Sequence, residues 1–442
     1  MKKRMLLISI TLISLFIAIS SYVFADSPGK LSINGYIETN NLLRLKNGNI
    51  NSNLNTLGLK FEGSTDRYHY FSELAFSYYG KSNFSTNNDN LGELANLQSV
   101  TPIELNLKEG YLDLYSFLFP FLDVRVGKQI IVWGTADKVN PTGNICPSDM
   151  SNLLDFGNKL GINAFQLNFY MGNASLSTIY IPSFTPSLLP SDFLALSGIA
   201  TEGTYTVDLP SQKLGITSQT AVKFEIPIST FDLSVSYYYG RYSIPNAYKV
   251  EINPTTQDVT STYMFFPKVQ VIGADFSGSL FDLGVWGEAG YFMPEKYNLS
   301  TYANGNPILI SSDKTVDDPY LRYVLGCDYT FKNGIYINTQ FIHGFDAEIT
   351  KDNLNDYMIC RVEKSFFNDK LKISPLTLFI TTGDWDNIKN NYGVGYIPEI
   401  YYYPVDNIEI DFGCYILEGE GNNMVSNMKD KDMLFLKAKV SF

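Results

Sequence analysis

Leu434-Phe435-Leu436-Lys437-Ala438-Lys439-Val440-Ser441-Phe442 closes the chain on a strict alternation. Leu434, Leu436, Ala438, Val440 and Phe442 share one parity, and Phe435, Lys437, Lys439 and Ser441 the other. Successive side chains of a β-strand point to opposite faces, so the stretch reads as a strand with one apolar and one polar face. The pattern recurs upstream. Phe231, Leu233, Val235, Tyr237 and Tyr239 alternate with Asp232, Ser234, Ser236 and Tyr238. Ile335, Ile337, Thr339 and Phe341 alternate with Tyr336, Asn338 and Gln340, and Ile408, Ile410, Phe412, Cys414 and Ile416 with Glu409, Asp411, Gly413 and Tyr415.

Between these segments short turns alternate with long polar connections. The short ones are Ser64-Thr65-Asp66, Gly172-Asn173, Pro227 to Thr230, Lys332-Asn333-Gly334 and Asn368-Asp369. They carry the residues that tight hairpins require. The long ones run roughly over 80–103, 133–160, 183–213, 241–266, 293–319 and 419–432. About 18 strand segments result, with both chain ends on the short-turn side, which is the pattern of a bacterial outer-membrane barrel. The expected fold is therefore all-β, a transmembrane antiparallel up-and-down β-barrel with short periplasmic turns and long extracellular loops. Lipid imposes this solution, because every backbone N–H and C=O must pair within the protein and a sheet must close on itself. Aromatic runs near strand ends, Tyr78-Tyr79, Tyr237 to Tyr239 and Tyr401 to Tyr403, are expected to form the interfacial girdles.

The two termini carry signals of their own. Lys2, Lys3 and Arg4, the apolar run Met5 to Tyr22 and Val23-Phe24-Ala25 read as a cleaved signal peptide over residues 1–25. The barrel would then occupy residues 26–442. A final amphipathic strand ending in Phe resembles the signal read by the bacterial barrel-assembly machinery, an expected partner during biogenesis. Outer-membrane lipid and lipopolysaccharide would surround the folded chain.

Composition narrows the function classes. Of 442 residues, 45% are hydrophobic and 18% charged, which excludes a disordered chain and a coiled coil. With 33 basic and 45 acidic residues the formal net charge is −12, a poor basis for nucleic-acid binding, which rests on neutralising phosphates. Four cysteines, Cys146, Cys327, Cys360 and Cys414, are too few for a disulfide scaffold. By parity the last three face lipid as small apolar side chains. Lys128 shares the apolar parity of Leu122, Val124, Val126 and Ile130, so either the strand ends there or a bulge shifts its register.

Groups for catalysis are sparse. Two histidines, His69 and His343, stand far apart, and neither HExxH, GxSxG nor a phosphate-binding glycine loop occurs. Asn87 to Gly92 and Asp384 to Asn387 offer oxygens without the spacing of a calcium loop. No catalytic residue, cofactor or metal site is expected.

One segment stands apart: Gly127-Lys128-Gln129-Ile130-Ile131-Val132-Trp133-Gly134-Thr135-Ala136-Asp137-Lys138-Val139-Asn140-Pro141. Together with Asp123 to Val126, Ile181 to Pro186, Gly326 to Phe331 and Gln340 to Phe345 it resembles a block of a large, mostly uncharacterised family of porin-like outer-membrane proteins of Gram-negative bacteria. The resemblance spans roughly residues 105–442. It implies the barrel, carries no settled substrate, and supplies no catalytic residues.

The block opens the third long loop, which in many porin-type barrels folds inward. Lumen width grows with strand number, so a barrel of this size needs a plug to become selective. Trp133, Asp137, Asn140 and Asp149 are the constriction candidates. By parity Glu62, Glu73, Asp123, Arg125, Lys223, Glu225, Asp328, Arg361, Glu363 and Asp411 are charged lumen candidates. Carboxylates outnumber basic groups on the lumen parity, which predicts a weak cation preference. The expected function is passive diffusion of small hydrophilic solutes or ions. The alternatives are a barrel enzyme acting on lipid or peptide at the outer face, and a structural or adhesive surface protein with a plugged lumen.

Overall fold

The computed structural model describes residues 30–80, 97–152, 156–190, 203–303 and 309–442. The expected signal segment and the Asn87 to Gly92 stretch lie outside these residues. The strands in chain order are β1 (Ser32–Arg44), β2 (Ile50–Ser64), β3 (Tyr68–Tyr79), β4 (Ile103–Leu114), β5 (Leu122–Gln129), β6 (Ile162–Met171), β7 (Ala174–Ile181), β8 (Thr204–Asp208), β9 (Gln219–Ile228), β10 (Phe231–Arg241), β11 (Asn246–Ile252) and β12 (Val259–Phe265). They continue with β13 (Lys268–Leu280), β14 (Leu283–Pro294), β15 (Tyr297–Ala303), β16 (Leu309–Val316), β17 (Tyr320–Thr330), β18 (Ile335–His343), β19 (Asp356–Phe366), β20 (Leu371–Thr382), β21 (Tyr392–Tyr396), β22 (Glu399–Tyr402), β23 (Ile408–Glu420) and β24 (Met433–Ser441). Helix among the described residues amounts to one α-turn, Leu97–Val100, and three 3₁₀ turns.

Nineteen of these strands share one antiparallel sheet, and β1 pairs with β24 to close it. β21 and β22 both lie between β20 and β23, so they are two halves of one wall strand. Pro398 falls in the break, where its missing N–H cannot serve the ladder. The wall is therefore a closed barrel of 18 strands. The terminal residue completes the seam: the Gly35 and Phe442 backbones bond reciprocally at 2.8 and 2.9 Å.

Alternation decides which side chains meet which medium. Ile37, Val235, Ile272 and Leu325 point outward and are more than half exposed. The opposite parity is buried or polar, as with Tyr238, Glu288, Val324 and Tyr415. Apolar outside and mixed inside is the reverse of a water-soluble sandwich and matches a wall bathed in lipid. Cys327, Cys360 and Cys414 keep the outward parity and are free thiols. Near the outer rim, outward Asn41, Asn53 and Asn55 satisfy one another in series, with amide bonds of 2.7 and 2.8 Å.

Lys128 resolves through a bulge in its neighbour. Between Glu73 and Leu74 the β3–β4 register shifts by one residue, at Lys108. Both Lys108 and Glu109 reach inward groups, the former Tyr36 and Glu73, the latter the Ile130 N–H. Lys128 keeps its outward parity opposite Asn163 and donates from Nζ to the Leu107 carbonyl at 2.5 Å, one residue before β5 ends. Its charge thus meets a main-chain oxygen rather than hydrocarbon.

The short turns behave as read. Gly172, Ser229 and Phe281 each take a positive φ at the first position of a two-residue connection, the geometry that matches strand twist. The long connections hold more than loop. Those over 182–218, 242–267 and 295–319 contribute a second sheet in the order β16-β15-β11-β12-β8, with parallel β11–β15 and β12–β8 pairs. Their mixed polar and aromatic composition gave no period long enough to mark these short strands.

The closing strand supplies a stability prediction. Phe435 is 1% exposed and packs on Tyr415 at a centroid distance of 4.9 Å, with Leu42 and Met433 in the same cluster. Phe435→Ala should lower the unfolding free energy by about 3–5 kcal/mol. Urea titration of the refolded protein in detergent, read as loss of heat-modifiable migration, measures this.

Candidate functional site

The connection from β5 to β6, third on its side of the barrel after those joining β1 to β2 and β3 to β4, is loop 3 (130–161); it turns into the lumen and crosses toward the far wall. Its path is set at the start by three contacts. Gln129 is fully buried and donates to the Ala164 carbonyl, the Ile130 N–H bonds the Glu109 carboxylate, and the Ile131 N–H bonds Cys146 Sγ at 3.1 Å. Burial pushes the Cys146 thiol up to about 11, so it is a neutral acceptor within the loop.

At its far end the loop wraps Glu288 of β14. The Thr135 and Ala136 N–H groups and Asn140 Nδ2 reach Oε2 at 3.1, 3.3 and 3.2 Å. The Thr142 N–H and Oγ1 reach Oε1 at 2.6 and 2.7 Å. Five donors surround one carboxylate that is 3% exposed. A buried charge is tolerable when it is fully hydrogen-bonded, and charge-assisted bonds are the strong ones. Gly134 adopts φ +102°, and a Cβ there would stand 2.4 Å from Glu288 Oε2, so the close approach requires glycine. Asn140 also bonds the Ala136 carbonyl at 2.8 Å. Gly134, Thr135, Ala136 and Asn140 of the block, with Thr142 just beyond it, thus build one carboxylate cradle.

Asp137, between these anchors, is exposed and accepts from Asn338 Nδ2 at 2.9 Å and Gln340 Nε2 at 3.3 Å on β18. Behind the loop, Ile131, Trp133, Ile145 and Cys146 pack against the lumen faces of β6, β7, β10, β13 and β14 in one apolar cluster. That side of the lumen is filled. On the other side a cavity of about 740 Å³ remains between Asp137, Lys138 and Phe156 of loop 3 and the wall from β18 to β24 and β1. Val425 and Met428 of the loop 421–432 meet Ala136 and Val139 of loop 3 in a second apolar cluster beside it.

The cavity is lined by the carboxylates Glu38, Asp137, Glu363, Glu399, Glu409 and Asp411 and by the cations Lys138, Arg361, Lys372, Lys437 and Lys439. Many are tied to each other. Arg361 bonds Glu363 at 2.9 Å and Glu399 at 3.1 Å, and its Nη2 reaches Tyr401 Oη at 3.2 Å. Asp411 faces Lys437 across the strand pair and is 5% exposed, with Oδ1 lacking a partner among the described residues.

The sequence-derived candidates divide accordingly. Asp137, Arg361, Glu363 and Asp411 line the cavity. Trp133 and Asn140 do not line it; they hold loop 3 against the wall and the Glu288 carboxylate. Asp149 accepts from the Ser151 N–H and hydroxyl at 3.0 and 2.6 Å and shapes its own turn. Glu73 pairs with Lys60 and Lys108, Arg125 grips Asp113 at 2.6 and 3.0 Å, and Lys223 pairs with Glu225 at 3.0 Å. Asp123 accepts the Ser116 N–H and Asp328 the Tyr336 hydroxyl. Glu62 stands opposite Ser32 near the periplasmic end. Glu38, Lys138, Lys372 and Glu399 were missed. Glu38 and Lys372 carry the lumen parity of their strands and were readable; Lys138 and Glu399 needed the loop path and the split strand.

The histidines face opposite media. His69 Nδ1 lies 3.0 Å from Asp113, inside, where Arg125 shares the carboxylate. His343 Nδ1 lies 2.6 Å from Asp356 on the outward side, where Tyr323 stacks on its ring at 5.1 Å. The Asp384 carboxylate accepts the N–H groups of Asp386 and Asn387, so it caps its own turn.

Loop 3 is clamped to loop 7 (344–355) by Asp346. Its carboxylate meets Lys159 at 3.2 Å, Arg322 at 2.6 Å and the Ser148 hydroxyl at 3.0 Å. Burial alone would raise its pKa, but the charges of Lys159 and Arg322 and the hydrogen bonds outweigh burial and hold it at about 2.

No family model matches the chain, and no curated protein matches it in sequence. Solved structures do match in fold. OccAB1 of Acinetobacter baumannii superposes with a TM-score of 0.54 at 9% identity, covering 93% of this chain and 96% of that one. OpdK of Pseudomonas aeruginosa, crystallised with vanillate, gives 0.53 at 8% identity over 93% and 98%. A BenF-like porin from Pseudomonas fluorescens Pf-5 gives 0.50 at 10% identity over 93% and 98%.

Two predictions follow from the anchors. Glu288→Gln replaces an acceptor by an amide that points N–H at N–H, which should cost about 3 kcal/mol and release loop 3. Trypsin cutting at Lys138 in the folded variant, against resistance in the parent, reads this. For Asp346 the folded pKa lies below the unfolded one, so its contribution is complete above the ordinary carboxylate range and is lost as pH falls toward 2. Limited pepsin digestion should leave loop 3 intact at about pH 4 and cut it near pH 2.

Proposed function

We propose that this protein is an outer-membrane channel of a Gram-negative-type bacterium. Small hydrophilic solutes or ions diffuse through its lumen, loop 3 is the constriction, and cations are weakly preferred. The carrying observation is the 740 Å³ cavity between loop 3 and one wall of the closed barrel, lined by side chains of both charge signs. Fixed charges replace part of a solute's hydration as it passes, so a polar solute crosses at lower cost than an apolar one. The pairing of Arg361 with Glu363 and Glu399 keeps these charges on the wall and leaves the path aqueous. Six carboxylates against five cations support a cation preference that is small by construction. Asp137 carries it furthest, because it projects from the loop rather than from an ion pair. The fold shared with a BenF-like porin is consistent with this reading.

The histidine–aspartate pairs are the one observation favouring a barrel hydrolase. Both are held at Nδ1 by a carboxylate, but neither ring is hydrogen-bonded to a serine, threonine or cysteine among the described residues. A channel needs neither.

Planar-bilayer recording tests the reading. The refolded protein should give discrete, stable steps, and a KCl gradient should give a small reversal potential of cation sign. Asp137→Asn should move that potential toward zero or to anion sign with little change in unfolding. Removing loop 3 residues 134–144 should raise conductance several-fold. A folded barrel without steps would sink the channel and point to a structural role, whereas lipid or peptide hydrolysis lost in H69A or H343A would establish the enzyme.

A further inference from the structure

Behind the Asp346 clamp lies a small crevice of about 40 Å³, separate from the main cavity. Lys159, Arg241, Arg322 and Asp346 are the charged side chains that line it, with Ser148 and Tyr242 among the polar ones. Lys159 and Arg322 are 7% and 3% exposed at their side chains. Three cations thus face one carboxylate, two of them buried and Arg241 half-buried, so water screens the excess only in part. An uncompensated buried charge is strongly unfavourable, while a paired and hydrogen-bonded one is tolerated.

The hydrogen bonds show where the deficit falls. Arg322 spends Nη2 on Asp346 at 2.6 Å and lays its guanidinium over the Phe292 ring at 4.8 Å. Its Nε is buried and has no hydrogen-bond partner among the described residues. Arg241 gives Nη1 to the Phe266 carbonyl at 2.6 Å and touches no carboxylate through that bond. Asp346 is already saturated by Lys159, Arg322 and Ser148. The crevice therefore offers an unused donor and two positive charges in excess, in a space large enough for a water-sized species.

We infer that this crevice is a binding site for a small monovalent anion of chloride size, held by Arg322 Nε with Arg241 and Lys159 and locking loop 3 to loop 7. The crevice has room for only a few water-sized atoms and shares no lining residue with the larger cavity, which separates the two. Bound chloride offsets the cation excess and favours the state in which loops 3 and 7 meet, so the lock tightens as external chloride rises.

The test uses the full mature chain refolded in detergent. The apparent Tm is compared in sodium chloride and in sodium gluconate at equal ionic strength, gluconate being too large to enter. Chloride and bromide should give a saturable upward shift of a few degrees that gluconate does not. Arg241→Gln leaves the Asp346 clamp in place, and should move the half-saturating chloride concentration up roughly tenfold. Crystals soaked in bromide should show an anomalous peak against Arg322. Equal midpoints in the two salts, an unchanged saturation curve in Arg241→Gln, or bromide found elsewhere alone would each overturn the site.

Discussion

One carboxylate organises the lumen. Glu288 is buried on the wall, and a bare charge there would be prohibitive. Five donors of loop 3 remove the problem, and three of them are main-chain N–H groups. Because the loop must present those donors inward, it cannot lie on the rim. Its apolar residues then fill the lumen against β6 to β14, and the aqueous space is displaced to the opposite wall. The lumen is thereby narrowed to an off-centre cavity without any change in strand number.

The wall and the plug are stabilised by different physics. The wall relies on the ladder, since backbone groups in lipid have no water to pair with. The plug relies on buried polar contacts and apolar packing: the Glu288 cradle, the Asp346 clamp and the cluster joining loops 3 and 421–432. The first set is cooperative around the ring and fails as a unit. The second is local, so loop 3 can loosen while the barrel stands.

Most lumen charges serve architecture. Arg125 with Asp113, Lys223 with Glu225, and Glu73 with Lys60 and Lys108 are ion pairs away from the cavity. Parity identified Arg125, Lys223, Glu225 and Glu73 as inward-facing, whereas Asp113 comes inward only through the bulge at Lys108; parity carried no information on height along the axis or on which side loop 3 lies. The charges that line the cavity are the subset opposite loop 3, and Glu399 joins them through the strand broken at Pro398.

The sequence by itself determined the wall. Strand parity, hairpin turns and the closing strand rest on contacts at spacing two or on turns of a few residues, and those are visible in any short window. The inward face of Glu363 and Asp411 and the outward face of the three strand cysteines were legible for that reason. Only the tertiary structure decided the path of loop 3, the partners of its motif and the place of the cavity. The bonds involved join residues 146 to 203 positions apart, Thr142 with Glu288 and Asp137 with Gln340 among them. No local period encodes such a separation. Trp133, Asn140 and Asp137 were candidates alike because one motif carries them; the fold places Trp133 and Asn140 in buried contacts with the wall and leaves Asp137 exposed, since a loop that crosses the lumen needs buried anchors.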